Sequence, residues 1–251
     1  MSDARIHPAA RSFGRAAREY ERGRPDYPAA AVDWIAVELG FRPGRTVLDL
    51  AAGTGKLTRA LVATGVRVVA VEPSAEMRAV LQTSLPQVEA LDGTAESIPL
   101  ADESVDAIAV AQAFHWFRFP DAVRELGRVL RPGGGLAVIW NMRDESDPLQ
   151  RWIGEELEPL RAGAPQRDES DPLTVLPASG LFGPVEHQSF DHRQELDEDA
   201  FVERFTSVSF VAALPPRGRR EFETKLRKRV ADEPRPIVLP YATEVFVARK
   251  L

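Results

Sequence analysis

Cysteine is absent from this chain of 251 residues, and histidine occurs only four times. The missing cysteines exclude disulfides, thiolate nucleophiles and cysteine-ligated zinc. The histidines lack the paired spacing of a metal site, so we expect a metal-free protein. They are His7, His115, His187 and His192.

Long apolar runs are also missing, so nothing in the sequence predicts a membrane-spanning helix. Residues 1–28 are polar and of mixed charge, without the apolar core of a secretory signal, which predicts a cytoplasmic protein. The 38 acidic residues outnumber the 32 basic ones, whereas phosphate contact requires a basic surface. We therefore expect neither nucleic acid nor a membrane as a partner. A monomer or homodimer is expected.

The run from Val47 to Thr58 has the strongest local pattern. A short apolar strand, V-L-D-L, ends in a turn with Gly53 and Gly55, and apolar residues at helical spacing begin after Lys56. Strand, glycine turn and helix together are typical of the first crossover in a nucleotide-type α/β sheet. The N–H groups at the start of that helix favour an anionic ligand group over the turn.

Two ligand classes fit this turn poorly. A phosphate-binding P-loop requires G-x-x-x-x-G-K-S/T, but Leu50 occupies the first glycine position and Leu57 follows Lys56. A dinucleotide fingerprint places Gly or Ala where this chain has Thr58, which disfavours a nicotinamide dinucleotide without forbidding it.

The next predicted strand, residues 67–71, ends at Glu72, about twenty residues past the turn. A carboxylate at this position can accept hydrogen bonds from both ribose hydroxyls of an adenosine. The alternative is a solvated acid at a strand end.

Five blocks across residues 46–141 resemble the type 11 class I S-adenosylmethionine-dependent methyltransferases. V-L-D-L-A-A-G-T-G resembles the first motif of that family, and it is followed in order by P-S-A-E-M, D-G-T-A-E-S-I-P-L, A-Q-A-F-H-W-F and R-V-L-R-P-G-G. The subgroup with A-x-A-F-H-W-F and W-N-x-R-D, which includes enzymes resembling trans-aconitate methyltransferases, is the most similar.

The resemblance implies S-adenosylmethionine as the cofactor and S-adenosylhomocysteine as its product. Thr94 stands where the family usually has an Asp that contacts the adenine, and Asp92 is a candidate substitute. The implied cofactor-binding residues are Asp49, Ala51, Gly53, Gly55, Glu72, Pro73, Met77, Thr94, Ala95, Glu96 and Gln112.

The implied fold is α/β: a Rossmann-like, doubly wound seven-stranded sheet, mostly parallel with an antiparallel C-terminal strand. We expect a lid in residues 1–40, the cofactor-binding core in 41–141, and cap helices and final strands in 142–251. Residues 124–135 are expected to form a helix end and turn before a strand at 136–140, and further strands are expected at 185–190 and 243–249. Helix N-caps are expected at Asp147, Asp171 and Asp197.

An arm at residues 12–28 resembles segments that close over the cofactor in related enzymes, with Tyr20, Arg24 and Tyr27 as lid residues; the alternative is a static cover. For the acceptor, His115 is a candidate catalytic base, an orienting contact or a structural residue. Trp116 and Trp140 are candidates for the walls of the acceptor pocket. Asn141, Arg143 and Arg24 are candidates for contacts to a substrate carboxylate. The alternative for each arginine is a surface ion pair.

Together these observations predict methyl transfer to a small-molecule acceptor, at a carboxylate or hydroxyl oxygen, by in-line displacement. A non-catalytic protein that binds S-adenosylmethionine and a nucleotide-dependent oxidoreductase are the alternatives.

Overall fold

The computed structural model describes residues 17–161 and 171–251. In this part of the chain the strands are β1 (Thr46–Leu50), β2 (Arg67–Val71), β3 (Glu89–Leu91), β4 (Val105–Ala111), β5 (Leu130–Arg143), β6 (Phe182–Leu196) and β7 (Ile237–Lys250). The helices are α1 (Ala17–Gly23), α2 (Ala29–Glu38), α3 (Lys56–Ala63), α4 (Ala75–Ser84), α5 (Asp121–Val129), α6 (Pro148–Leu157), α7 (Pro172–Ala178), α8 (Glu198–Thr206), α9 (Ser209–Ala212) and α10 (Pro216–Val230). Short 3-10 segments cover Phe114–Trp116 and Glu158–Leu160.

The strands form one sheet in the order β3-β2-β1-β4-β5-β7-β6. β1 pairs in parallel with β2 and β4, so that Asp49 lies level with Ala70 on one side and Ala109 on the other. The sheet is mostly parallel with antiparallel C-terminal strands, which confirms the predicted fold. The strands predicted at 185–190 and 243–249 lie within the longer β6 and β7. Since the chain builds outward from β1 to β3 and then returns to form β4, the carboxyl ends of β1 and β4 mark the switch point where such folds bind ligands.

The central strands are buried on both faces, which explains their nearly continuous apolar sequence. Val47, Leu48 and Leu50 of β1 are at most 1% exposed. Val47 packs with Leu57 and Leu61 of α3 on one face, while Leu48 and Leu50 belong to the core on the other face. This packing fixes the end of β1, and therefore the glycine turn that follows it.

Three helix starts confirm the N-caps expected from the sequence. The side chain of Asp147 accepts a hydrogen bond from the backbone N–H of Gln150 at 2.9 Å, and Asp197 accepts one from Ala200 at 2.7 Å. Asp171 caps α7 in the same way. Each carboxylate satisfies an N–H group that has no partner within its helix.

The prediction for residues 124–135 needs one correction, the residue at which the strand begins. α5 ends at Val129 as expected, but β5 begins at Leu130 and not at 136. The expected glycine turn persists within β5 as an irregularity, because Gly133 has φ +72° and the pairing with β4 shifts from Leu130–Val105 to Gly135–Ala107. A Cβ at Gly135 would stand 2.9 Å from the carbonyl oxygen of Ala248. The absent side chain therefore lets the backbone of another strand approach closely, a packing role that a turn-like sequence does not reveal.

The described residues divide into two units. The helical unit consists of residues 17–26, 142–161 and 191–242, and the sheet unit of residues 27–141, 171–190 and 243–251. In the helical unit, Phe201 and Phe205 are fully buried with ring centroids 5.1 Å apart, and a Cβ at Gly23 would clash with the backbone of Arg204. Among the described residues no helix combines the length and apolarity that crossing a bilayer requires.

Candidate functional site

The turn after β1 contains three residues in the left-handed region of backbone space. Gly53 has φ +58° and Gly55 has φ +91°, as the glycine pattern predicts, and Ala51 also has φ +58°. A side chain is disfavoured in this conformation, so Ala51 stores strain at the end of the central strand. Gly55 also caps α3, and a Cβ there would stand 2.9 Å from the side chain of Leu81.

Glu72 connects the end of β2 to this turn. One carboxylate oxygen, Oε2, accepts a hydrogen bond from the Gly53 N–H at 2.9 Å, and Oε1 accepts one from the Ser74 N–H at 2.9 Å. The residue is 6% exposed. Burial raises the pKa of Glu72, although the N–H groups of Ser74 and Gly53 and the charge of Arg78 act in the opposite direction. Each oxygen keeps further acceptor capacity, because a carboxylate has about four lone-pair sites.

Asp49 lies beneath the turn and is 1% exposed. The hydroxyl of Thr58 donates a hydrogen bond to its Oδ2 at 2.5 Å, whereas its Oδ1 is buried and has no hydrogen-bond partner among the described residues. Burial raises the pKa of Asp49 to about 7, the Thr58 hydrogen bond lowers it, and the charge of Glu72 adds to the increase. Thr58 was interpreted from the sequence only as evidence against a dinucleotide; its pairing with Asp49 depends on how α3 packs against β1.

Met77 lies over the same turn. Its sulfur is 3.7 Å from the position that a Cβ on Gly53 would occupy, and the residue is 5% exposed. Ser74 places it there by capping α4, since the Ser74 hydroxyl accepts a hydrogen bond from the Met77 N–H at 3.4 Å. Pro73 joins Glu72 to this cap.

The segment after β3 forms a narrow loop. Thr94 and Ser97 exchange backbone hydrogen bonds of 3.3 and 3.1 Å, and both Thr94 and Ala95 are buried. The Glu96 carboxylate accepts a hydrogen bond from the Arg118 backbone N–H at 2.8 Å, so it ties this loop to the segment after Trp116. Asp92 lies 3.2 Å from a guanidinium nitrogen of Arg78.

The end of β4 repeats the strained backbone seen after β1. Gln112 has φ +58°, and its N–H donates to the carbonyl of Ile139 at 2.9 Å. His115 follows in a 3-10 turn, where its ring centroid is 5.0 Å from that of Trp116. The indole N–H of Trp140 donates a long hydrogen bond, 3.4 Å, to Nδ1 of His115. Neighbouring strands β1 and β4 thus both end in left-handed residues at the switch point.

The remaining candidate residues fall into both units. In the sheet unit, the Thr243 hydroxyl donates to Oδ1 of Asn141 at 2.6 Å, and Tyr27 packs against the core that contains α2. In the helical unit, the Arg24 guanidinium lies 5.0 Å above the ring of Tyr20. Arg143 also belongs to the helical unit. His7 and residues 12–16 of the predicted arm lie outside the described residues.

A model of the type 11 methyltransferase domain matches residues 48–138. An uncharacterised methyltransferase of Mycobacterium tuberculosis is 43% identical over 237 residues, which cover 92% of this chain and 93% of that protein. Another uncharacterised methyltransferase, from Schizosaccharomyces pombe, is 34% identical over 226 residues, which cover 90% of this chain and 89% of that protein.

Two solved structures have a similar fold. A methyltransferase from an antibiotic biosynthesis pathway of Anabaena variabilis has a TM-score of 0.65 and 22% identity, covering 92% of this chain and 99% of that one. The second is phosphoethanolamine N-methyltransferase 2 of Haemonchus contortus, in complex with phosphomonomethylethanolamine and S-adenosylhomocysteine. It has a TM-score of 0.57 and 15% identity, and the match covers 94% of this chain and 57% of that one. At these identities the likeness concerns the fold alone.

Proposed function

Because this chain belongs to the type 11 family of class I S-adenosylmethionine-dependent methyltransferases, we propose that it methylates an oxygen of a small-molecule acceptor by in-line displacement. Membership of this family makes the chain an enzyme and favours methyl transfer over the oxidoreductase and non-catalytic alternatives. The proposal adds the kind of acceptor, a carboxylate or hydroxyl oxygen, and the residues that act on it.

The observation that carries the proposal is the group formed by Asp49, the glycine turn and Glu72. The cofactor has two ribose hydroxyls and an α-ammonium group, and it needs acceptors for both. Glu72 keeps acceptor capacity beside the turn, while Oδ1 of Asp49 is a buried acceptor without a partner among the described residues. A buried acceptor of this kind is costly unless a donor reaches it. These residues fit the cofactor, and we assign Glu72 to the ribose.

Bound S-adenosylmethionine would supply an electrophilic methyl group on a positively charged sulfur, which is the leaving group when an acceptor oxygen attacks that methyl. The protein's part is to align the acceptor and exclude water, which together lower the barrier by several kcal/mol. We assign water exclusion to the rings of Trp116 and Trp140. Trp140 is 2% exposed and is held in place by edge contact with Phe246, with ring centroids 5.8 Å apart.

We assign His115 an orienting role. Trp140 donates its N–H to Nδ1 of His115, so the neutral imidazole carries its proton on Nε2 and presents a donor there. A donor can hold an acceptor oxygen, whereas a general base needs an open lone pair on the nitrogen facing the acceptor. A carboxylate acceptor fits this role, because it needs no base.

Calorimetry with S-adenosylhomocysteine tests the cofactor assignment. Replacing Glu72 by Gln removes the charge from hydrogen bonds worth roughly 1.5–3 kcal/mol each. We therefore expect the Kd to rise at least tenfold. Glu89→Gln is the matched control, because Glu89 loses the same charge from an exposed site on β3. Equal Kd values for Glu72→Gln and the wild type would remove Glu72 from the proposed site.

Incubation with methyl-labelled S-adenosylmethionine and a metabolite extract tests the reaction. We expect label in a small molecule as an ester or ether. Label on nitrogen or carbon would contradict the oxygen acceptor while leaving the methyltransferase assignment intact.

A further inference from the structure

Three arginines lie in one region of the helical unit. The backbone N–H of Asp144, which follows Arg143, donates to the carbonyl of Pro240, which precedes Tyr241, at 3.2 Å. A Cβ on Gly154 of α6 would stand 3.4 Å from the Arg143 guanidinium. Arg143 ends β5, Arg161 follows the 3-10 segment after α6, and Arg204 belongs to α8. Burial lowers the pKa of Arg143, and the positive charges of Arg204 and Arg161 lower it further. Like charges brought together in a poorly solvated place need compensation from an anion.

Arg204 is the most deeply placed of the three, with 6% of its surface exposed. Its Nε donates a hydrogen bond to the hydroxyl of Tyr241 at 3.1 Å, and its guanidinium lies 5.0 Å from the ring of Phe205. No carboxylate of the described residues forms an ion pair with it. A neutral hydroxyl and an aromatic face hold the group in position, but neither supplies a negative charge.

The other two arginines have only exposed acidic neighbours. Arg143 Nη2 is 3.7 Å from Glu145, and Arg161 Nε is 3.5 Å from Glu158; both glutamate side chains are 69% exposed. The Nε atoms of Arg143 and Arg161 are buried and make no hydrogen bond to the described residues. Exposed carboxylates at these distances compensate a partly buried cation weakly.

Two arginines of α10 in the same unit are bound differently. Arg227 of α10 donates to Glu198 at 2.9 Å and to Asp199 at 2.7 Å. Arg229 donates to Glu233 at 2.7 Å while its guanidinium lies 5.7 Å from the ring of Trp152. Both α10 arginines are thus paired with carboxylates at hydrogen-bond distance, whereas the buried Arg204 is not.

We propose that Arg143, Arg161 and Arg204 form a binding site in the helical unit for a small anion, a carboxylate or a phosphate. The planar guanidinium forks suit both groups, since each can accept two parallel N–H hydrogen bonds. Tyr241 belongs to the site as the residue that positions Arg204. The site requires no step of methyl transfer, so its test needs no cofactor.

The test is a titration of the wild-type protein with inorganic phosphate and, separately, with succinate, at constant ionic strength kept by potassium chloride. We expect saturable binding by calorimetry and a matching rise in melting temperature, because a ligand selective for the folded state stabilises it. Saturation with phosphate alone identifies a phosphoryl ligand, and saturation with succinate alone identifies a carboxylate. No saturable binding of either anion would overturn the proposal.

Arginine variants test whether the anion binds at this site. Arg204→Met keeps the length and apolar stem but removes the charge, and Arg143→Met does the same at the end of β5. We expect each to weaken anion binding at least tenfold, whereas Arg229→Met, an equal charge change on an arginine beside another aromatic ring, should bind as the wild type does. If Arg204→Met does not fold, Arg143→Met alone decides. A melting-temperature rise of wild-type size in the Met variants would show a general salt effect and refute the site.

Discussion

Replacement of Asp49 by asparagine should stabilise the ligand-free protein, and the gain should grow as the pH rises from about 4 to 7. Asparagine has the same shape as aspartate, and its carbonyl oxygen can still accept the hydrogen bond from Thr58. What the change removes is a negative charge on a residue that is 1% exposed and has one oxygen without a partner among the described residues.

The size of the effect follows from the pKa of Asp49, which burial raises from 3.8 to about 7. Well below pH 3.8 the carboxyl is protonated in the folded and unfolded states, so the variant and the wild type should be equally stable. Between pH 4 and 7 the Asp49 carboxyl is ionised in the unfolded chain but still protonated in the folded state. The wild type therefore loses stability as the pH rises through this range. Each pKa unit is worth about 1.36 kcal/mol, so the advantage of asparagine should level off above pH 7 at about 4 kcal/mol.

Urea denaturation of both proteins from pH 4 to 8.5 measures this difference directly. Asp106→Asn is a control of opposite sign. Burial acts to raise the pKa of Asp106, but hydrogen bonds from Thr46, Arg45 and Arg131 outweigh burial and lower it. That variant should therefore be less stable than the wild type at neutral pH, with a deficit that shrinks as the pH falls. Parallel stability curves for the wild type and Asp49→Asn would refute the argument.

Three further predictions concern the turn, the arm and the acceptor. Gly53→Val should abolish S-adenosylhomocysteine binding by calorimetry, because a β-branched residue is disfavoured at φ +58°, whereas Gly44→Val, at φ +88° in open space, should lower stability but leave binding unchanged. Hydrogen exchange at residues 17–28 should slow when S-adenosylhomocysteine binds if Tyr20, Arg24 and Tyr27 act as a lid; equal exchange would make the arm a static cover. His115→Gln should keep more turnover than His115→Ala if the ring orients the acceptor, while equal, near-complete loss in both would indicate a base.

The local elements could be predicted from the sequence because their causes are local. β1, the glycine turn and the start of α3 at Lys56 follow from apolar spacing and from residues that tolerate positive φ. Asp147 and Asp197 cap helices through N–H groups three residues away. In each of these cases the evidence lies within one short stretch of chain.

What the sequence did not reveal depends on packing between distant segments. The close approach of the Ala248 carbonyl to Gly135 is one example, because a run of glycines does not show which backbone packs against it. The elevated pKa of Asp49 arises from burial, and the isolation of Arg204 from carboxylates arises from how α8 packs with β7. The sequence shows neither the raised pKa of Asp49 nor the lack of a carboxylate partner at Arg204.

The position of β7 has a consequence for how the chain is made. β6 ends at Leu196, but its neighbour in the sheet, β7, begins only at Ile237. During synthesis from the N-terminus, β6 therefore emerges before the strand that pairs with it, and pairing between β5 and β7 must close a long loop, which slows folding. An unpaired strand edge invites aggregation, and charges along it are a common protection. Such charges are present on β6 at Asp191, Arg193 and Glu195. They protect β6 before β7 has been synthesised and also in the folded protein, where β6 is the edge strand of the sheet.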